Sequence, residues 1–451
     1  MSNGIRPSGP GHVSTPATVD EAAPPDTSGE SQQPQENTTP NATPRSNANG
    51  MRGDLGFFGQ MREMVLRDSL PGTASPLASA TVAQASPAPG PSSDMRLKTL
   101  PGELEKANVP KNVRDDLMAQ LLSKSGADLK QALDQTDTAL KSKDAAGEVK
   151  SLVIQGKVDG YFQSFNQTYQ VNGKQVQATP HFRMTNGASG PSGRTEFSQV
   201  RADLQKLMQT HDKGNPKAEQ LWNKDMHEAV KFVAAGKPSA AQLKMVTDAL
   251  IKTGQFEEAK KKHPGLSDSE TIRMMQWDHG VGIDCAGYVS QAFVGVHGGT
   301  RAKFGMQSVN DESLMYLKGN RNFVQVKPQD IRPGDLIALD KPKPGDVGHT
   351  VLVRNHHIAT PEERNSFVHA ESGFEKRGDK IHVYEVDASW GAGGEGKLTG
   401  GLQRRIWLFN ETTGKWGEAN PDKDGDLEVT VSSRNGPYDH PMNGIYRPKG
   451  S

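Results

Sequence analysis

The stretch GIDCAGYVSQAF, residues 282–293, decides how the second half of the chain reads. Gly282 lets the backbone turn. Cys285 then opens a helix that carries Val289, Ala292 and Phe293 on one side. A thiol at a helix N-terminus meets unpaired backbone N–H groups and the positive end of the helix dipole. Both favour the thiolate and lower the pKa. The same N–H groups can stabilise an oxyanion.

Farther along the chain, RPGDLIALDKPKPGDVGHTVLVRN (332–355) supplies the partner. Its first Pro-Gly-Asp turn, Pro333 to Asp335, launches a strand over Leu336–Leu339. After the second turn, Gly348 and His349 enter a strand over Thr350–Val353. An imidazole at the mouth of a strand can reach a helix-start thiol, take its proton and later protonate a leaving group. Cys285 is thus the expected nucleophile and His349 the expected general base.

These segments resemble the NlpC-type family of papain-like cysteine peptidases and amidases over residues 270–410. GIDCAGYVSQAF looks like the family's Asp-Cys-Ser-Gly-aromatic-Val motif, with Ala286 in place of Ser. PGDLI and GHTVLV resemble its Pro-Gly-Asp-Leu and Gly-His-Val strands. Trp277 is similar to the aromatic residue of the Trp-Gly-Gly segment before the nucleophile, which here reads Trp277-Asp278-His279-Gly280. The resemblance implies a papain-like fold, no metal or cofactor, and cleavage of amide bonds. It also implies a third polar residue on the strand paired with the base strand. SFVHAESG (366–373) nominates His369, although its separation of 20 from His349 exceeds the family's tight hairpin. IHVYEVDASWG (381–391) nominates Asp387, and a carboxylate would hold the imidazole tautomer. Asp387 and His369 are therefore rivals for one role. A catalytically inactive NlpC-like binding module, or a deamidase or acyltransferase, is the alternative.

Two further patterns are decoys. GAGGEGKLT (391–399) nearly matches a phosphate-binding loop, but Leu398 stands where a hydroxyl is needed and two glycines follow. DKDGD (422–426) lacks the spacing of a calcium loop. His356 and His357 read as exposed loop without further ligands.

Upstream, Val113, Leu117 and Leu121 form a stripe that Gly126 could end, with Leu129 and Leu133 continuing a second helix. Residues 156–195 read as a hairpin or a loop. Met226, Val230 and Val233 share a helical face. Ser239 with Gln242, and Ser267 with Glu270, form capping boxes. The expected class is α+β: a disordered tail (1–95), a mostly helical module (96–265), the hydrolase domain (266–410) and a polar C-terminal extension (411–451).

Composition sets the outer bounds. The 451 residues exceed one ordinary domain, and 33% hydrophobic content is low. The Pro-, Ser- and Thr-rich segments 1–50 and 71–93 cannot bury enough surface to offset ordering. Between them Phe57, Met61, Met64 and Val65 fall near helical spacing, a candidate docking segment (55–70) for a secretion chaperone. One cysteine excludes an internal disulfide and a multi-cysteine zinc site. Zero net charge gives no reason to expect nucleic acid or an anionic membrane. No stretch is apolar enough to span a bilayer, and no general secretory signal is present. The acid-free, Ser/Pro/Thr-rich first 19 residues resemble the export signal of bacterial type III effectors. Export without a cleaved signal, with a peptidoglycan peptide or a host protein as substrate, is the expectation; a cytoplasmic location is the alternative.

Overall fold

The computed structural model describes residues 95–183, 197–217, 219–298, 304, 320–341, 348–368, 374, 378–391, 398, 400–421, 427–432, 436–437 and 440–450. The tail, the 55–70 segment, His369, and the loops 392–397 and 422–426 lie outside them.

Four helices come first: α1 (Met95–Lys106), α2 (Lys111–Leu122), α3 (Gly126–Leu140) and α4 (Ala145–Ser164). The stripe Val113, Leu117 and Leu121 is buried as its spacing predicts, against Leu100, Leu104, Leu133 and Val153. Gly126 does not end a helix. It begins α3 with φ +54°, a conformation that costs a glycine little. The ambiguous 156–195 region divides. Tyr161 and Phe162 belong to α4, whereas Tyr169 lies on a hairpin of β1 (Gln167–Val171) and β2 (Lys174–Ala178). Asn172 and Gly173 close this hairpin, both with positive φ, as a two-residue turn of this hand requires.

Next come α5 (Phe197–Gly214), α6 (Lys224–Ala234), α7 (Ala240–Lys252), α8 (Gln255–Lys262), α9 (Asp268–Asp278) and α10 (Cys285–His297). Both capping boxes form, Ser239 with Gln242 on α7 and Ser267 with Glu270 on α9. Met226, Val230 and Val233 are all buried on α6.

The remainder builds one nine-stranded sheet. Its strands are β3 (Phe323–Gln325), β4 (Leu336–Leu339), β5 (His349–Ile358), β6 (Phe367–Val368), β7 (Ile381–Trp390), β8 (Gly401–Asn410), β9 (Trp416–Pro421), β10 (Leu427–Val431) and β11 (Met442–Pro448). The order is β3-β11-β4-β5-β7-β8-β9-β10-β6, antiparallel except between β10 and β6. Residues 411–451 are therefore no polar extension. They supply β9, β10 and β11, and β11 lies between β3 and β4 with Ile445 and Tyr446 buried.

The two faces of the sheet pack differently. Leu336, Ala338, Leu352 and Leu402 join Val289 and Phe293 of α10 and Phe165 beyond α4 in one core. Ile337, Leu339, Val351, Val353, Val386 and Trp407 form a second core on the other face. The first core runs from Val158 to Tyr446 without a break at residue 265. The architecture is mixed helix and sheet. No described helix is long and apolar enough to cross a membrane.

Candidate active site

Cys285 is the first residue of α10. The turn before it is held by the segment 180–183, which runs alongside. Phe182 and Ile283 form a parallel bridge, Ile283 N donates to His181 O at 3.0 Å, and Arg183 N donates to Ile283 O at 3.2 Å. A Cβ on Gly282 would stand 2.3 Å from His181 O, so glycine is needed here for close approach. His181 packs its ring on Trp277, with centroids 4.3 Å apart.

Asp284 caps the helix, accepting from Gly287 N at 2.6 Å, an arrangement worth about 1 kcal/mol. Lys237 donates to both of its oxygens at 2.6 Å, and both side chains are buried. The backbone amides of Thr350 and Ala286 lie close enough to favour the ionised thiol.

Burial nevertheless pushes the Cys285 thiol up to about 11, and the Asp284 carboxylate adds to the rise. Lys237 and the two amides oppose it without prevailing. The helix N-terminus alone had suggested a lowered value. Desolvation wins because the thiol is enclosed, although the residue keeps some exposure.

β5 and β7 part at this place. Their ladder ends at Leu352 and Asp387, three residues short of the start of β5 and the end of β7. The segment Ile283–Cys285 bridges the parted ends. Ser389 Oγ donates to Ile283 O at 2.6 Å, and the Thr350 amide lies near the sulfur.

His349 opens β5 but points away from this segment. Its ring lies against Trp390, with centroids 4.2 Å apart, on the face of Val351 and Val353. Burial drives its pKa down to about 3, helped by the positive fields of His440 and Arg405. Among the described residues, the thiol's partners do not include this imidazole.

Asp387 lies on the α10 face and is also apart from His349. Arg404 Nε donates to its Oδ1 at 2.8 Å and Nη2 to its Oδ2 at 3.1 Å. Arg404 also reaches Asp159 of α4, which Arg354 grips through two bonds, and Arg354 pairs with Glu385. Burial raises the Asp387 pKa while Arg404 opposes the rise. The carboxylate thus ties α4 to the sheet.

His356 and His357 stand on β5, not in a loop. His356 Nε2 and His382 Nδ1 share a hydrogen bond of 2.9 Å, His382 Nε2 meets Glu411 at 3.0 Å, and His357 meets Glu363 at 2.8 Å. Among the described residues, no group of three or more His, Cys, Asp or Glu is placed to hold a metal ion. Past the glycine-rich loop, Gly401 starts β8, and among the described residues no α-helix follows that loop.

Sequence reasoning missed Lys237, whose Gly-Lys-Pro setting has no periodic signal, and Thr350, whose contribution is a backbone N–H. No family model, curated protein or solved structure matches this chain.

Proposed function

We propose that the chain is a cysteine-dependent amide-bond hydrolase of papain-like, NlpC-like type, with Cys285 as nucleophile. One observation carries this reading: Cys285 is the first residue of a buried helix capped by Asp284, where the backbone amides of Thr350 and Ala286 favour the ionised thiol. Such donors suit a thiolate and the oxyanion of a tetrahedral intermediate. The order of the Asp-Cys-Ala-Gly-Tyr and Gly-His-Thr-Val segments supports the same reading.

In this reaction the sulfur attacks the carbonyl carbon and the thiol proton passes to a base. The C–N bond then breaks, and the amine leaves with that proton. Water cleaves the resulting thioester and restores the thiol. His349 serves as base in this reading once its ring leaves Trp390, at an end where β5 and β7 are no longer paired. A bacterial effector acting on a host protein, or a hydrolase acting on a peptidoglycan peptide, is the setting we favour.

The test is the iodoacetamide reaction of the full chain across pH, for wild type and His349→Ala. Ready alkylation near pH 6 that disappears in the variant supports the hydrolase. An unchanged rate that rises only toward pH 11 defeats it. A second reading, a catalytically silent binding scaffold, is favoured by one specific feature: the imidazole is packed on Trp390 and not paired with the thiol.

A further inference from the structure

The loop between α6 and α7 is built around the first turn of α10. Gly236 O accepts from Asp284 N at 2.9 Å, and Lys237 O accepts from Gln291 Nε2 at 2.6 Å. Gly236 has φ +71°, and a Cβ there would press on Arg183 O at 2.9 Å and on Asp284 Oδ2 at 3.1 Å. Gly287 meets the same loop from the other side: its Cβ would stand 2.3 Å from Gly236 O and 3.0 Å from Lys237 Cα. Two glycines thus let backbone touch backbone, and that contact delivers the Lys237 ammonium onto a carboxylate adjacent in sequence to the nucleophile.

We infer that Lys237 is a positioning residue that neutralises Asp284 and thereby sets the reactivity of the Cys285 thiol. The inference rests on the reading of Cys285 as nucleophile. Its physical content is a balance of two charges. The Asp284 carboxylate opposes ionisation of the neighbouring thiol, and the Lys237 ammonium favours it. A pair only 7% exposed on each side is little screened by solvent, so removing one member leaves the other's field on the sulfur.

Other groups near the thiol among the described residues come from three further elements. Its own helix brings Asp284 and the Ala286 amide. The 180–183 segment brings His181 and Arg183, the latter in the field of Asp284. β5 brings the Thr350 amide, with His349 packed on Trp390, and β7 brings the Ser389 hydroxyl. Lys237 is the cation whose field lowers the cost of ionising the thiol, against burial and the Asp284 carboxylate.

The experiment measures iodoacetamide rate against pH for the full chain as wild type, Lys237→Met, Lys237→Arg, Asp284→Asn and the Lys237→Met/Asp284→Asn pair, with thermal unfolding as a check of folding. Asparagine keeps the cap through its Oδ1, so Asp284→Asn removes the charge together with one of the two contacts to Lys237. Lys237→Met should slow alkylation about tenfold at a given pH, a thiol shift of about one unit. Lys237→Arg should restore most of the rate, Asp284→Asn should speed it, and the pair should return toward wild type. Opposite shifts are not expected of a merely structural salt bridge. Shifts of the same sign in Lys237→Met and Asp284→Asn, or no shift in folded protein, overturn the inference. If Lys237→Met does not fold, Asp284→Asn and the double variant decide by the same signs. A rate that answers to Lys237 but not to His349 would sink the hydrolase reading and leave this inference standing.

Discussion

His349 and Cys285 do not meet at β5: the Cys285 turn lies at the strand's open edge beside Thr350, and the imidazole ring lies 4.2 Å from that of Trp390, centroid to centroid. Burial disfavours the charged form of each, raising the thiol and lowering the imidazole. The measurable consequences extend beyond reactivity.

Acid should destabilise the fold through His349. Its folded pKa of about 3 lies below the ordinary value of 6.5. Between these values the unfolded chain binds a proton that the folded chain refuses, so stability falls as pH drops through that window. From pH 6.5 to 4.5 the loss attributable to this residue should be about 2–3 kcal/mol. Urea unfolding at both pH values, in wild type and His349→Gln, measures it. A variant whose pH response matches wild type would show that His349 is not buried neutral.

Asp387 should behave as a structural anchor. Arg404→Ala strands a buried carboxylate and should cost about 3–5 kcal/mol in denaturant unfolding. The rate of Cys285 alkylation in the folded variant should stay within about twofold of wild type. A large rate loss at unchanged stability would return Asp387 to the catalytic role that the sequence suggested.

The glycines divide sharply. Gly287→Ala forces a Cβ to 2.3 Å from a backbone carbonyl and should cost about 1–3 kcal/mol or more. Gly160 of α4 has open space where its Cβ would be. Gly160→Ala should gain about 0.5–1 kcal/mol from helix propensity. Thermal unfolding of the two variants should move in opposite directions.

Deletion of residues 441–451 should abolish cooperative unfolding, because β11 contributes Ile445 and Tyr446 to the two cores and pairs with β3 and β4. Circular dichroism on heating checks this. A deletion variant that still melts in one sharp transition would show the strand to be dispensable.

Local patterns in the sequence foretold local structure. Val113, Leu117 and Leu121 are spaced to share a helix face, and Ser239 and Gln242 are spaced to cap each other; both did so. The strands expected over Leu336–Leu339 and Thr350–Val353 became β4 and part of β5 for the same reason. PMNGIYRP (441–448) did not look like a strand, because Asn443, Gly444 and Pro448 break its alternation; pairing with β3 and β4 makes it one, with a shift of register between Met442 and Gly444. At the site, alternation placed His349 with Val351 and Val353, but nothing in the chain says which face of β5 receives α10. The helix-start argument for a lowered thiol pKa was sound locally and was outweighed by enclosure, a property of the whole fold. Lys237 reaches Asp284 across 47 positions, and no spacing rule anticipates such a pair.

β11 has one further consequence. During synthesis β4 emerges about a hundred residues ahead of it. At about 5–20 residues per second, the edge of β4 stays without its partner for roughly 5–20 s. In that interval the nascent chain carries an open, apolar strand edge beside a half-built thiol pocket. It is then at its most vulnerable to misassociation and most accessible to a chaperone.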